Sequence, residues 1–330
     1  MAPGPVVNKD GQEDKFMGRY ILKRIGQSII VLLIVTILVF LVMHMIPGDP
    51  IAIYLGETAT PEQVAKYTKE FGLDQPLYVQ YFKWIAGLFQ GEMGRSISFS
   101  MDVTQLLPQR ITTTLSVTVP AFIISIIFGV TLGILCATHR GRLLDSAISV
   151  FANIGIAMPA FWVGILLVLI FAITLKWLPV QGYTPLNEDF VLGIRQLIMP
   201  VIVLSLAHTA SITRQTRSAM LEVISSDYIR TARSKGLKEK KVILGHALRN
   251  ALIPIVTLLG MSVGGLIGGT VLIEQLFSIP GVGSLMMTAI LNKDYMVVQN
   301  VVFIIALFVM VCNLLVDILY GYIDPRIRVD

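Results

Sequence analysis

The chain has 330 residues, of which 55% are apolar and 14% are charged, and its formal net charge is +5. A soluble domain could not bury this much apolar surface, and the apolar residues occur in runs long enough to cross a lipid bilayer. The composition therefore excludes a soluble globular protein and predicts an all-α, polytopic membrane protein. Membrane topology explains the net positive charge, so nucleic-acid binding is not expected.

Six apolar runs define the predicted transmembrane spans of a single domain, residues 17–330. The preceding residues 1–16 are rich in Gly, Pro, Lys, Asp and Glu, a composition that predicts disorder. The third span contains Pro159, which removes a backbone donor and predicts a kink or a break. The fourth span is short and contains His208 and Ser211. The six spans cover about residues 27–46, 115–137, 147–175, 197–213, 251–273 and 300–322.

The first outer loop, residues 47–114, has predicted helices of its own. The run Thr60-Pro61-Glu62-Gln63 has the pattern of a capping box with proline at the first helical position, and Gly72 is placed to end that helix. Segment 77–91 has apolar residues on one face, as in a helix that lies flat at the bilayer surface. Two interpretations remain open: a lid packed on the span ends, and a landing surface for an extracellular partner. The apolar face consists of Leu77, Tyr81, Trp84, Ile85 and Leu88.

Basic residues near the spans predict the orientation of the chain. Loop 214–250 has nine Lys and Arg residues against three Asp and Glu residues, whereas loop 47–114 has five against seven. Cytoplasmic loops of membrane proteins are enriched in Lys and Arg. Loop 214–250 is therefore predicted to be cytoplasmic and loop 47–114 to lie outside. With an even number of spans, both termini are predicted to be cytoplasmic.

Loop 214–250 is longer than a simple connection and has the pattern of two helices joined by a turn. Ser226 or Asp227 can cap a short helix, Gly236 can end it in the left-handed conformation, and a second helix is predicted to start at Lys238. A loop with two capped helices is better explained as an interaction surface than as a linker.

The fifth span is rich in glycine at small-xxx-small spacing, which permits close helix approach. Packing against a second membrane subunit and lining of a transport path both fit this pattern. After the span, Pro280 and Gly281 predict a turn and a short helix at the outer mouth, which would form a gate or contact surface together with Asp49 and Glu274. The glycines are Gly260, Gly264, Gly265, Gly268 and Gly269.

The sequence contains no motif for catalysis. It has no phosphate-binding loop of the form G-x-x-x-x-G-K-[ST], and its four histidines lack metal-ligand or nucleophile–base spacing. No catalytic residue, metal site or bound cofactor is therefore expected. Ionisable residues inside the spans are few, which argues against an ion-coupled carrier, and Asn313 and Asp317 in the sixth span are interpreted as structural contacts.

Loop 214–250 resembles the EAA loop of permease subunits of ATP-binding-cassette importers. Arg230-Thr231-Ala232 stands at the E-A-A positions, Gly236 at the motif glycine and His246-Ala247-Leu248-Arg249 at the I-x-L-P positions. Other stretches are similar to the peptide/nickel branch, and most of all to the first of two paired permeases in dipeptide, oligopeptide or glutathione importers. These stretches are HMIPGDP at 44–50, GLDQPLYVQY at 72–81, EQLFSIPGVG at 274–283 and VDILYGYIDPRIR at 316–328.

This resemblance implies a type I importer fold in a bacterial or archaeal cytoplasmic membrane. The implied complex has two homologous permeases, two cytoplasmic ATPases that bind ATP and Mg²⁺, and an extracytoplasmic solute-binding protein. Ala232 would be small enough for close approach to a groove on one ATPase. Short peptides are the expected substrate, with glutathione, nickel chelates and opines as alternatives, and a free-standing channel or secondary carrier is the alternative class. The implied docking residues are Asp227, Tyr228, Arg230, Thr231, Ala232, Arg233, Lys235, Gly236 and Leu237.

Overall fold

The computed structural model describes residues 10–48, 50–56 and 59–323. In these ranges the chain is helical and forms no β-strand beyond one isolated bridge. Two π-helical segments, Val168–Thr174 and Val242–Ala247, directly continue α7 and α10. The α-helices are α1 (Asp10–Met45), α2 (Pro50–Leu55), α3 (Pro61–Glu70), α4 (Leu77–Gln90), α5 (Val103–Thr138), α6 (Leu143–Ala157), α7 (Ala160–Leu167), α8 (Phe190–Ile224), α9 (Asp227–Ser234), α10 (Glu239–Lys241), α11 (Leu248–Leu276), α12 (Val282–Leu291) and α13 (Tyr295–Ile323).

Among the described residues, five helical runs are long and apolar enough to cross a bilayer, and they correspond to the first, second, fourth, fifth and sixth predicted spans. The fourth span is longer than predicted, because α8 has 35 residues. α1 begins at Asp10, inside the segment for which the sequence predicted disorder, and residues 1–9 lie outside the described residues. The five runs are Leu22–Met45, Val103–Thr138, Phe190–Ile224, Glu239–Leu276 and Tyr295–Ile318.

The third predicted span is broken at Pro159, as the sequence predicted. Its two halves, Leu143–Ala157 and Ala160–Thr174, are bent by 104°. Near the start of the first half, Asp145 forms an ion pair with Arg217, close to the end of α8. After the second half, the N–H of Gly182 donates to the carbonyl of Phe277, beyond the end of α11. The broken pair therefore connects the two ends of the helix bundle and makes a sixth crossing.

The two ends of the bundle differ in charge and in the elements they hold. At one end, which we name the basic end, the chain holds α9 and the Asp145–Arg217 pair. Arg24 and Asp317 also lie together, 3.4 Å apart, beside an α1–α13 groove of about 530 Å³. This ion pair places the start of α1 and the end of α13 on the same side and supports a structural role for Asp317. The opposite end, the outer-loop end, holds α2, α3, α4 and α12.

Close packing of α5 on α8 forms the centre of the bundle. Gly129 lies against Ile212, and Gly133 lies against Thr216, so closely that a methyl group at either glycine would collide. Such small residues let two helices approach without a gap between their backbones. The main apolar core lies next to this contact, toward the outer-loop end of α5 and α8, and includes side chains from α7 and α11. The α5–α8 pair is thus the rigid frame on which the elements at both ends are mounted.

Candidate functional site

α9 is a short helix that begins after Ser226 and ends before Gly236, in agreement with the sequence prediction. Gly236 has a φ of +74°, the left-handed region that ends helices and that glycine adopts at least cost. Across this turn, the guanidinium of Arg233 donates to both carboxylate oxygens of Glu239, at 3.2 and 2.7 Å. These hydrogen bonds raise the pKa of Arg233 and tie α9 to the helix that follows.

One face of α9 packs on the rest of the chain. Ile229 is fully buried and Ala232, one turn later, is only 9% exposed. Both belong to an apolar cluster, named here the α9 cluster, to which three spans contribute. Its other members come from the last turns of α5, the end of α8 and the α10–α11 run: Ala137, Ala219, Met220, Val242, Ile243, Ala247 and Ala251.

The other face of α9 is exposed and polar. The ring of Tyr228 is 45% exposed while its hydroxyl accepts a hydrogen bond from Asn250 at 2.7 Å. Arg230 and Lys235 present positive charge on the same surface. An aromatic ring held in place among cations and hydroxyls is typical of a surface that binds another protein. The exposed residues of α9 and the residue that directly follows it are Asp227, Tyr228, Arg230, Thr231, Arg233, Ser234 and Lys235.

Two of the predicted docking residues lie on the inner face instead. Ala232 is buried in the α9 cluster, and Leu237 is half-buried against it. The prediction that Ala232 allows close approach of an ATPase is therefore wrong, because its small side chain lets α9 approach the spans of its own chain. The sequence carried a signal for this face that was missed, because Ile229 and Ala232 are apolar and lie three residues apart in an otherwise largely polar helix.

A buried carboxylate organises the outer-loop end. Glu274, near the end of α11, is 1% exposed. Its Oε1 accepts a hydrogen bond from the hydroxyl of Thr114 at 2.6 Å, and its Oε2 accepts one from the N–H of Ser284 at 2.7 Å. The oxygen of Thr114 in turn accepts from the N–H of Val282 at 2.8 Å. This network joins α5, α11 and α12.

The turn between α11 and α12 fits closely around this carboxylate. A Cβ on Gly281 would collide with Glu274 and Thr114, so only glycine fits there. Glu274 and Gly281 are both buried, so neither forms a surface contact in this structure, and their role in an outer gate stays a prediction. Pro280 remains exposed, and Asp49 lies outside the described residues. Glu274 stands between an apolar span and a Pro-Gly turn, and this position in the sequence does not indicate that its side chain faces inward.

Most glycines of α11 approach helices of the same chain. Gly260 lies so close to Val316 of α13 that a methyl group would collide, and Gly269 lies against Leu204 of α8. These glycines were predicted to pack against a second permease or to line a path, and both roles stay predictions for the glycines without a close contact in this chain. Gly268 is the one of the five with open space around it. A Cβ at Gly264 or Gly265 would lie at ordinary van der Waals distance from Val309 of α13 or His208 of α8, and Gly265 is itself exposed.

Two buried polar residues that fasten the outer loop to α13 were missed by sequence analysis. Asp294 is fully buried and accepts a hydrogen bond from the hydroxyl of Ser96 at 2.6 Å. Asn300, also fully buried, accepts from the indole N–H of Trp84 at 3.3 Å and donates to the carbonyl of Met93 at 2.8 Å. An aspartate directly before an apolar helix is an N-cap signal, and this signal could have identified Asp294.

Comparison with known protein families shows which family the chain belongs to. Residues 129–329 match the family described as binding-protein-dependent transport system inner membrane component, and residues 17–118 match its N-terminal companion. The chain belongs to this family. The permease is thus a multi-pass membrane subunit of a transport system rather than an enzyme, as its sequence predicted.

Individual relatives align with the permease over almost its whole length. A probable peptide ABC transporter permease protein of Sinorhizobium fredii is 43% identical over 94% of this chain and 100% of its own. The oligopeptide transport system permease protein AppB of Bacillus subtilis is 39% identical over 94% and 100%, respectively. The di/tripeptide transport system permease protein DppB of Pseudomonas aeruginosa is 39% identical over 94% and 98%.

A solved structure supports the fold of the permease. A chain from inward-facing conformations of the MetNI methionine ABC transporter matches with a TM-score of 0.55 and 17% identity, over 67% of the permease and 97% of that chain. At this identity the match concerns the fold alone. It agrees with the predicted all-α, type I importer-like architecture, and about a third of the permease lies outside the shared part.

Proposed function

We propose that the permease imports short peptides across the cytoplasmic membrane and is driven by separate ATPase subunits that dock on α9. The relatives with the same full-length alignment are named as peptide, oligopeptide or di/tripeptide permeases, which supports this substrate class. The observation that carries the mechanism is the two-sided character of α9. Its inner face is buried against three spans, and its outer face is exposed and polar.

The α9 cluster gives a physical route from a docked partner to the spans. Closely packed side chains transmit a displacement because an interior without voids is poorly compressible. A force on the outer face of α9 would pass through Ile229 and Ala232 to the ends of α5, α8 and α11. Closure of two ATPases on ATP and Mg²⁺ would therefore move these span ends as a rigid body.

The remaining subunits of the proposed complex follow from the family. A second, homologous permease would complete the pore, two ATPases would occupy the cytoplasmic side, and a solute-binding protein would deliver the peptide at the outer-loop end. ATP and Mg²⁺ would bind to the ATPases and not to this chain. The lipid bilayer would surround the apolar faces of α1, α6 and α7, whose large side chains are exposed.

Substitutions on the two faces of α9 test the docking surface. Thr231→Trp adds bulk to the exposed face, so the variant is expected to insert and fold normally but to lose its ATPases on purification. Ala232→Trp adds the same bulk inside the α9 cluster and is expected to lower the stability of the permease itself, by about 1–3 kcal/mol. Unchanged ATPase retention and transport in the Thr231→Trp variant would contradict docking on this face.

Single-cysteine labelling tests the proposed orientation. Lys66 in α3 and Lys240 in α10 are both exposed, at opposite ends of the bundle. In a background without Cys136 and Cys312, an impermeant thiol reagent applied to intact cells is expected to label a cysteine at position 66. A cysteine at position 240 should react only after the membrane is permeabilised. Labelling of position 240 in intact cells would reverse the orientation.

Growth on peptides tests the substrate. Deletion of the gene is expected to abolish growth on a required amino acid supplied as a short peptide, while growth on the free amino acid persists, in a strain without another peptide importer. Normal peptide use with lost use of glutathione, nickel or an opine would favour that alternative substrate. Transport by the purified permease without any ATPase would instead support a free-standing channel or secondary carrier.

A further inference from the structure

The outer-loop helix α4 presents three different faces. Its first face packs on the bundle through Trp84, which is 5% exposed, and through the half-buried Tyr81. The second face is a stripe of aromatic side chains with large exposed fractions. The third face is polar and exposed, with Lys83 and Gln90. The aromatic stripe consists of Tyr78 at 66%, Phe82 at 66% and Phe89 at 89% exposure.

The angular order of these faces follows from helix geometry. At about 100° per residue, the three stripe residues fall within about 40° of each other, and Lys83 and Gln90 lie about 120° from them. The bundle face lies on the other side of the stripe, roughly 100° away. α4 thus has one side for protein, one for an apolar medium and one for water.

Contacts with α1 give the depth of α4 relative to the bilayer. The hydroxyl of Tyr81 lies 3.0 Å from that of Thr36, and its ring lies 5.4 Å from the ring of Phe40. Thr36 is nine residues inside the end of α1 at Met45, which corresponds to about 14 Å along the helix. Half of the hydrocarbon core is about 15 Å thick. Tyr81 therefore reaches well below the membrane surface.

The contact of α4 with α13 also lies inside the end of a span, at about half the depth of the Tyr81 contact. Trp84 donates its indole N–H to Asn300, five residues after the start of α13 at Tyr295, or about 7 Å along that helix. The neighbouring residue Gln80 reaches His44, near the outer end of α1, at 3.2 Å. α4 therefore lies beside the bundle at the level of the headgroup and acyl boundary, and not on top of the spans.

We propose that α4 is a membrane-anchoring helix whose aromatic stripe of Tyr78, Phe82 and Phe89 inserts into the phospholipid leaflet on the outer-loop side. Aromatic rings favour this boundary region, and interfacial helices place an apolar face about 5–10 Å into it while cations remain in water. A binding protein in the aqueous phase would instead meet the polar face, around Lys83. The stripe thereby fixes the outer loop to lipid as well as to α13.

Spin labels on the two exposed faces test this assignment. Single cysteines replace Phe89 or Phe82 on the stripe, with Lys83 as the matched control, in a background without Cys136 and Cys312. The full-length permease, in its purified complex, is placed in nanodiscs of phosphatidylethanolamine and phosphatidylglycerol. Collision rates of each label are then measured with oxygen, which concentrates in lipid, and with a neutral water-soluble nickel chelate.

The ratio of oxygen to nickel-chelate collisions is expected to exceed one at positions 82 and 89 and to fall below one at position 83. All three side chains are exposed, so the labels displace no buried contact and each variant is expected to retain its partner subunits. Greater collision with the nickel chelate at positions 82 and 89 would overturn the proposal. So would immobilisation of the stripe labels when the solute-binding protein is added.

Discussion

Gly236→Val tests whether the left-handed turn after α9 is required for coupling to an ATPase. The φ of Gly236 is +74°, and no heavy atom lies within 4 Å of the position that a Cβ would occupy. A side chain at this position therefore meets no steric obstacle, and the expected cost comes from the backbone conformation alone. An L-residue in the left-handed region costs about 1–2 kcal/mol, with a β-branched residue at the upper end.

A penalty of this size shifts the equilibrium between the observed turn and its alternatives by a factor of about 5–30. The Arg233–Glu239 ion pair spans the same turn, but its side chains are 40% and 61% exposed. Such an exposed pair contributes about 0–1 kcal/mol and cannot offset the penalty. α9 would lose its fixed orientation, whereas the α5–α8 frame, which does not contact Gly236, would stay folded.

The assay compares substrate-stimulated ATP hydrolysis and ATPase retention in purified complexes of Gly236→Val and Gly236→Asn. Asparagine tolerates the left-handed conformation better than other residues with a Cβ, so it serves as the matched control. We expect the Asn variant to retain most of its stimulated hydrolysis and the Val variant to lose about fivefold or more. Equal stimulation in both variants would refute the reasoning, because the sign of φ at this position would then not matter.

Three further substitutions test the buried polar contacts, each by thermal unfolding of the purified permease. Gly281→Ala is expected to destabilise it by about 1–3 kcal/mol, since the methyl group meets buried side chains, while Pro280→Ala on the exposed side of the same turn should have little effect. Thr114→Val removes the hydroxyl between α11 and α12, at an expected cost of about 1–3 kcal/mol, and a neutral result would contradict the network. Asp145→Ala is expected to cost about 1–3 kcal/mol, because it removes the charged partner of the one-third-exposed Arg217, and adding Arg217→Met should recover part of this loss.

Local sequence signals identified the features that depend on neighbours in the chain. The capping box at residues 60–63 is present, with the side chains of Thr60 and Gln63 each bonded to the backbone N–H of the other. Gly72 and Gly236 have positive φ where the sequence predicted helix ends, and Pro159 separates two helices. Each of these outcomes follows from the backbone chemistry of one residue type, which acts wherever that residue stands.

Features that depend on contacts distant in sequence were assigned less well. Nothing in the sequence near Glu274 indicates that its side chain is buried. Its burial depends on the turn that folds back over it and on Thr114, which is 160 residues away in sequence. The glycine pattern of α11 predicts that helices approach closely but not which helices, and within this chain Gly260 approaches α13 while Gly269 approaches α8. A pattern of residue types therefore predicts that a close contact exists, whereas its partner is decided by the fold.

The burial of Ala232 bears on the proposed role of α9 in coupling. A helix that only bound an ATPase would need an exposed face, but a helix that transmits movement must also be fixed to the spans it moves. Ile229 and Ala232 lie one turn apart and supply that second attachment. Bulk at Ala232 would separate α9 from its own spans before it affected any partner. In the proposed coupling, the small residue at this motif position would be required for transmission within the chain, and the exposed residues around it would contact the ATPase.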